Sequence, residues 1–176
     1  MATAVDADPT GEIDPRYSDP SAEPTAWGDA VDILQGAMTF WISTVRTDGR
    51  PHVTTVASVW YDGAMYLTTG DQEQKRVNLA SNRACVLTTG GNGFAGLDVV
   101  IEAEAVEVLD TEELEAIADA YVDKYAGTFE YDVDASGMHL KGDPAAVVRC
   151  YRLEPVTVFG FHKGDPFSQT RWRFER

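Results

Sequence analysis

At 176 residues the chain has room for one domain with a substantial core. Hydrophobic residues make up 44% of it, no apolar run approaches the roughly 20 residues that cross a bilayer, and the start MATAVDADPTGEIDP lacks a signal peptide's basic head and apolar middle, so the expectation is a cytoplasmic protein without a membrane span. A formal charge of -15, from 14 basic and 29 acidic residues, repels nucleic acid and anionic membrane surfaces and argues against both as partners.

Residues 1–25 are rich in Pro, Asp, Ala, Ser and Thr without periodicity, and too little apolar surface is present to offset the entropy of ordering them. The expectation is a disordered acidic tail over 1–25 and a folded domain over 26–176. AWGDAVDILQGA then places Trp27, Val31 and Leu34 at helical spacing before Gly36. Next, MTFWISTVRTDGRPHVTTVASVWYDGAMYLTTG contains three strand-like runs joined at Asp48-Gly49 and Asp62-Gly63. Asp-Gly between alternating apolar residues is a strong hairpin signal, so an antiparallel meander is predicted.

GDQEQKRVNLASN reads as a short helix capped by Asp71, with Gln74 at the capping-box position and Val77 and Leu79 on the inner side. RACVLTTG is a strand, and GGNGFAG a glycine-rich turn. In LDVVIEAEAVEVLD, Val99, Ile101, Ala103 and Ala105 share a face, whereas Val106 and Val108 have the opposite parity, which predicts a bulge near Ala105. DTEELEAIADAYVDKY is the clearest helix, with Leu114, Ile117, Ala118, Tyr121, Val122 and Tyr125 on one stripe and Asp110 as its cap. GTFEYDVDASGMHLKGDP reads as irregular. Three strand-like runs close the chain, separated at Pro155 and at 164–166. Six or more mostly antiparallel strands in one small chain must hide their edges, and a β-barrel with peripheral helices does so.

Cys85 and Cys150 have neither metal-like nor redox-like spacing and read as small core residues, with a disulfide between them left open. His52, His139 and His162 share no ligand-like spacing, so no metal site is expected. No nucleophile elbow, P-loop or dinucleotide-binding glycine pattern appears, and no side chain stands out as a catalytic acid, base or nucleophile. Chemistry carried by a cofactor is the remaining route to an enzyme.

Three features point to a ligand. The acids concentrate in 1–26 and 110–134, while 135–176 is net positive. Lys75 and Arg76 lie in the opening turns of the helix after Thr68-Thr69-Gly70, where free backbone N–H groups attract an anion. Thr54, Thr55 and Ser58 offer hydroxyls to the edge of a planar heterocycle, although Thr is also a good strand former. The C-terminal FSQTRWRFER interleaves Trp172 with Arg171 and Arg173, a set that can stack on a ring and pair with an anion or simply form a final packed strand.

Taken together, FWISTVRTDGRPHVTTVASVWYDGAMYLTTG, QKRVNLASN, VVIEAEAVEV and FSQTRWRF resemble the split-barrel flavin-binding family typified by pyridoxamine 5'-phosphate oxidase, with its deazaflavin-dependent reductase branch. The resemblance implies a mainly β fold, a six-stranded antiparallel split β-barrel with peripheral helices, assembled as a homodimer with cofactors in grooves between subunits. It implies FMN or coenzyme F420 as cofactor. His52, Val53, Thr54, Thr55 and Val56 would line the ring, Thr68, Thr69, Lys75 and Arg76 would hold the phosphate end, and Trp172 and Arg173 would reach across from the neighbouring subunit. HVTTVASVW stands where the namesake has a basic motif, and TRWRFER replaces its Arg-Leu-x-Pro ending, which argues against vitamin B6 oxidase activity. The implied function is an oxidoreductase moving a hydride to or from a small conjugated substrate. The alternatives are a non-catalytic flavin- or haem-binding storage module, with His139 or His162 as haem-ligand candidates, and a structural dimer that has lost its ligand.

Overall fold

The computed structural model describes residues 8–174. In chain order the elements are β1 (Gly11–Ile13), α1 (Trp27–Gly36), β2 (Phe40–Val45), β3 (Pro51–Val56), β4 (Ser58–Tyr61), β5 (Ala64–Gly70), α2 (Gln74–Ser81), β6 (Ala84–Thr89), β7 (Gly96–Glu107), α3 (Thr111–Tyr125), β8 (Tyr131–Asp134), β9 (Gly137–Leu140), β10 (Asp143–Lys163) and β11 (Ser168–Arg173).

Strand β2 pairs with β6, β6 with β7, β7 with β10 and β10 with β5, all antiparallel. The ring closes through one bent run: β3 pairs with β2, and beyond Ala57 the chain continues as β4, which pairs with β5. Counting β3 and β4 as that one run gives the six-stranded split barrel expected from the resemblance. Both predicted hairpins of the meander form, β2 with β3 and β4 with β5, but its middle run bends at Ala57 so that its two halves serve different neighbours. Closing so few strands into a barrel requires such sharp bends.

Alternation along the strands fills the interior. Ile42, Leu87, Ile101 and Val158 form one cross-strand row, and all are buried. A second apolar layer forms outside β4 and β5, where Leu114, Ile117, Ala118, Tyr121 and Tyr125 of α3 meet Val59, Tyr66, Met138, Val148 and Cys150. Asp110 caps α3 by accepting from the Glu113 N–H at 2.9 Å, as the sequence predicts. Val122 is the exception on the expected stripe, since it is exposed. The disulfide alternative is not formed: Cys85 and Cys150 are buried free thiols, and burial pushes both up to about 12, which keeps them unreactive.

Long-range pairing alters four local expectations. Strand β10 runs unbroken through Pro155, with a register shift between Pro155 and Thr157 that makes Val156 the extra residue. The bulge therefore lies in β10, where proline has no N–H to donate, and not near Ala105 in the facing strand. Leu153 and Val158, an odd number of residues apart, can thus both point inward. The stretch read as irregular forms the β8–β9 hairpin and pairs with β10.

The acidic segment read as a disordered tail docks over its described part, while residues 1–7 lie outside the described residues. Gly11 stands opposite Trp172 and Ile13 opposite Thr170. Asp14 N–H donates to Gln169 O at 2.9 Å, Thr25 N–H to Thr170 Oγ1 at 2.8 Å, and Glu12 pairs with Arg171 at 2.8 Å. Order here comes from backbone pairing to a sheet edge, which composition does not register.

Lys124 clamps this framework. Its Nζ donates to Leu34 O of α1 at 3.2 Å and to Ser58 O at 2.9 Å, and lies 4.9 Å from the centre of the Phe40 ring. Burial lowers its pKa from 10.5 to about 8. A base whose pKa is lower folded than unfolded opposes folding while charged, so stability gains as pH rises from about 8 toward 10.5. Wild type is expected to gain denaturation midpoint relative to Lys124→Met between pH 7.5 and 10; parallel midpoints across that range would show that the lysine titrates normally.

Candidate functional site

The turn from β5 into α2 gathers several buried polar groups. Lys75 is only 5% exposed, Asn78 is fully buried, and Thr44 of β2 and Thr69 of β5 are buried beside them. Gln74 Nε2 donates to Asn78 Oδ1 at 2.8 Å, Asn78 Nδ2 to Thr44 Oγ1 at 2.9 Å, and Thr44 Oγ1 lies 3.4 Å from His52 Nδ1. Lys75 Nζ pairs with Glu73, whose other carboxylate oxygen accepts the Gly70 N–H at 2.7 Å. Burial opposes charge on Glu73, but hydrogen bonds from Lys75 and Gly70 still hold its carboxyl below the ordinary value.

Helix α2 starts later than the sequence predicts. Glu73 occupies the N-cap position and makes no side-chain capping bond, so the first N–H groups of the helix receive no side-chain acceptor. Asp71 is corrected from cap to ion-pair bridge: its Oδ1 takes Arg149 Nε at 2.9 Å and lies 3.3 Å from Arg76 Nε. Arg149 also donates to Glu107 at 3.1 Å. That removes Asp71 from the helix, because two guanidinium groups hold it outside. Val77, read as an inner anchor, is exposed; Leu79 is buried as expected. Arg76 is part-exposed, and its buried Nε has no hydrogen-bond partner.

Strand period divides the predicted ring-lining residues between two faces. His52, Thr54 and Val56 stand opposite Thr44, Ile42 and Phe40 and point toward the barrel. Val53 and Thr55 point outward beside Ser43 and Trp41. Burial, then the charges of Arg46 and Lys75, hold the His52 imidazole below its ordinary pKa. Among the described residues β3 pairs only with β2, so its outer backbone edge is open. Beside that edge Trp41 and Val53, on the outer face of the sheet, are 41% and 57% exposed, and Met38, in the bend before β2, is 54% exposed.

The same period separates Thr68 from Thr69. Thr69 faces the barrel with Met65 and Leu67, whereas Thr68 faces the outer layer, where its Oγ1 lies 2.8 Å from the hydroxyl of Tyr131 in β8. Thr68 is thus corrected out of the Lys75 cluster. Trp172 is corrected more fully: it is 0% exposed, with its ring 5.4 Å from that of Trp27, inside the core of its own chain. A side chain so enclosed cannot reach a neighbouring subunit. Arg173 remains exposed, with its Nε 4.0 Å from Glu12.

Thr44, Asn78 and Glu73 escaped the sequence reading. Gln74, Lys75 and Asn78 share one helix face by their three- and four-residue spacing, the signal that could have found Asn78. Thr44 is placed only by the β2–β3 register.

His139 is buried, its Nε2 is 3.0 Å from Ser136 Oγ, and its Nδ1 has no partner. His162 Nδ1 bonds Pro166 O at 3.0 Å near the far end of β10. Among the described residues no group of three or more His, Cys, Asp or Glu side chains could hold a metal ion, and no helix is long and apolar enough to cross a membrane. A cavity of about 180 Å³ opens between the start of α3, the β8–β9 hairpin and β10; Arg149 and Glu107 are among its lining residues, and Thr44, Thr69, Lys75 and Asn78 are not.

The family model described as pyridoxamine 5'-phosphate oxidase matches residues 27–155. None of the curated proteins matches the chain significantly. Among solved structures, general stress protein 26 from Bacillus anthracis str. Sterne is 19% identical with a TM-score of 0.60, over 84% of this chain and 97% of that one. A heme binding protein from Mycobacterium smegmatis is 18% identical with a TM-score of 0.65, over 84% of this chain and 58% of that one. An F420 reductase is 18% identical with a TM-score of 0.54, over 72% of this chain and 93% of that one. At these identities the likeness is one of fold.

Proposed function

Because this chain belongs to the pyridoxamine 5'-phosphate oxidase family, we propose that it is an oxidoreductase that binds FMN or coenzyme F420 by its phosphate at Lys75 and acts on a small conjugated substrate. The observation that carries this reading is the burial of the Lys75 ammonium at the mouth of an uncapped helix. A buried cation needs a nearby anion, and helix N–H groups without acceptors favour the same charge. The donor set fits a phosphate: the Lys75 ammonium and the Gly70 N–H, which Glu73 now engages, and the start of α2.

When bound, the flavin supplies the hydride chemistry. The protein's part is binding and orientation. Lys75 neutralises the phosphate, Thr44 and Asn78 hold the lysine's surroundings in one arrangement, and His52 and Thr54 offer polar atoms to the ring on the inward side of β3. No side chain is assigned as an acid or base. Trp172 no longer belongs to the proposal, and Arg173 stays in it as an exposed cation that a second subunit could meet.

The exposed Met38, Trp41 and Val53 support a homodimer, since a second copy would cover this apolar face and enclose the open side of β3. Recording the visible spectrum during titration with FMN and with coenzyme F420 tests the reading. Saturable binding of one of them is the expected result, and binding of neither would overturn it. A haem-type band that changes on substitution of His139 or His162 would point to the storage alternative.

A further inference from the structure

We propose that Glu73 is a built-in anion that occupies the phosphate position of the Lys75 site and sets how tightly the site takes a phosphate-bearing ligand; this rests on the phosphate-binding reading above. One carboxylate engages both donors of the turn at once: one oxygen takes the Gly70 N–H at 2.7 Å and the other takes Lys75 Nζ. Two oxygens of a phosphate would use the same pair.

The two partners differ in freedom. The Lys75 side chain is 7% exposed, whereas the Glu73 side chain is 52% exposed. Swinging Glu73 outward disturbs no core packing, but it leaves the ammonium without a counter-charge. Glu73 thus supplies that counter-charge itself, and an incoming phosphate exchanges one anion for another.

Exchange weakens binding, because the ligand must either displace Glu73 or share Lys75 with it against like-charge repulsion. A ligand without phosphate meets no such opposition. The carboxylate thereby discriminates by charge. A phosphate bearing two charges outcompetes it at a single ammonium, and another carboxylate does not.

Full-length wild type, Glu73→Gln and Glu73→Asp are titrated with FMN and with riboflavin by flavin fluorescence, and each is melted with and without inorganic phosphate. Glu73→Gln keeps an acceptor for Gly70 and releases Lys75. It is expected to bind FMN about tenfold tighter, a gain of about 1.4 kcal/mol, with riboflavin unchanged, and to be stabilised by phosphate more than wild type. Unchanged or weaker FMN binding overturns the proposal, and so does an equal gain for riboflavin. Glu73→Asp, whose shorter arm cannot span both donors, gives a smaller gain of the same kind and stands in if the Gln variant does not fold. If no variant binds FMN, the phosphate arm alone decides on the built-in anion, separately from the FMN and coenzyme F420 titration that tests the cofactor reading: greater stabilisation of the substituted chain keeps the built-in anion, and equal stabilisation removes it.

Discussion

Trp172→Ala is expected to lower folding stability by about 3–5 kcal/mol and the melting temperature by roughly 10 °C or more. The indole is fully buried, meets Trp27 edge-on and sits where two glycines give it room. A Cβ at Gly160 would stand 2.7 Å from its Cη2, and one at Gly11 would stand 2.9 Å from its Nε1. The surrounding backbone is thus shaped to the ring and cannot close over an alanine. One offset is present, because the buried Nε1 has no hydrogen-bond partner and its removal relieves that cost. Denaturant melts of the variant measure the loss, and FMN affinity under folding conditions is expected to stay at the wild-type value. A selective fall in FMN affinity with stability intact would return Trp172 to the site.

Lys75→Ala carries the second large effect, this time on binding. Losing a charge-assisted contact to phosphate is expected to weaken FMN by roughly ten- to a hundredfold, as a hydrogen bond to a charged group contributes about 1.5–3 kcal/mol. Riboflavin, which lacks the phosphate, should bind almost as before. Lys75→Met keeps most of the apolar stem and separates lost packing from lost charge. Equal losses for FMN and riboflavin in both variants would place the lysine outside any phosphate contact.

Local chemistry made much of the fold legible. Asp48-Gly49 and Asp62-Gly63 announce tight turns, and the stripe from Leu114 to Tyr125 with Asp110 ahead of it defines α3. The pattern Val99, Ile101, Ala103 and Ala105 identifies the inner face of β7. Pairing partners far apart in sequence left no such signature. Pro155 looks like a terminator until β7 is laid beside it and Val156 absorbs the mismatch. The segment around Gly11 has too little apolar surface to fold alone and becomes a strand only because β11 presents an open edge.

The candidate site was legible in kind more than in membership. A lysine after a Thr-Thr-Gly turn points to an anion, and Lys75 is buried there. Alternation then decides which neighbours share its space: Thr69 does and Thr68 does not, and His52 and Thr54 turn inward while Val53 and Thr55 turn away. Sequence alone fixes neither face, because that choice follows from which side of each strand the barrel closes on. Trp172 shows the same ambiguity at larger cost, since an indole in a strand between two arginines can equally be an exposed platform or a core anchor.

The pairing of Gly11 with Trp172 also orders events in time. During synthesis the β1 segment has no partner until β11 has been made, after every other strand of the sheet. The barrel strands and α3 can associate meanwhile, but the indole of β11 has yet to arrive. Pairing of β1 with β11, with entry of that indole, therefore follows the other pairings of the sheet, and such distant contacts are slow to form.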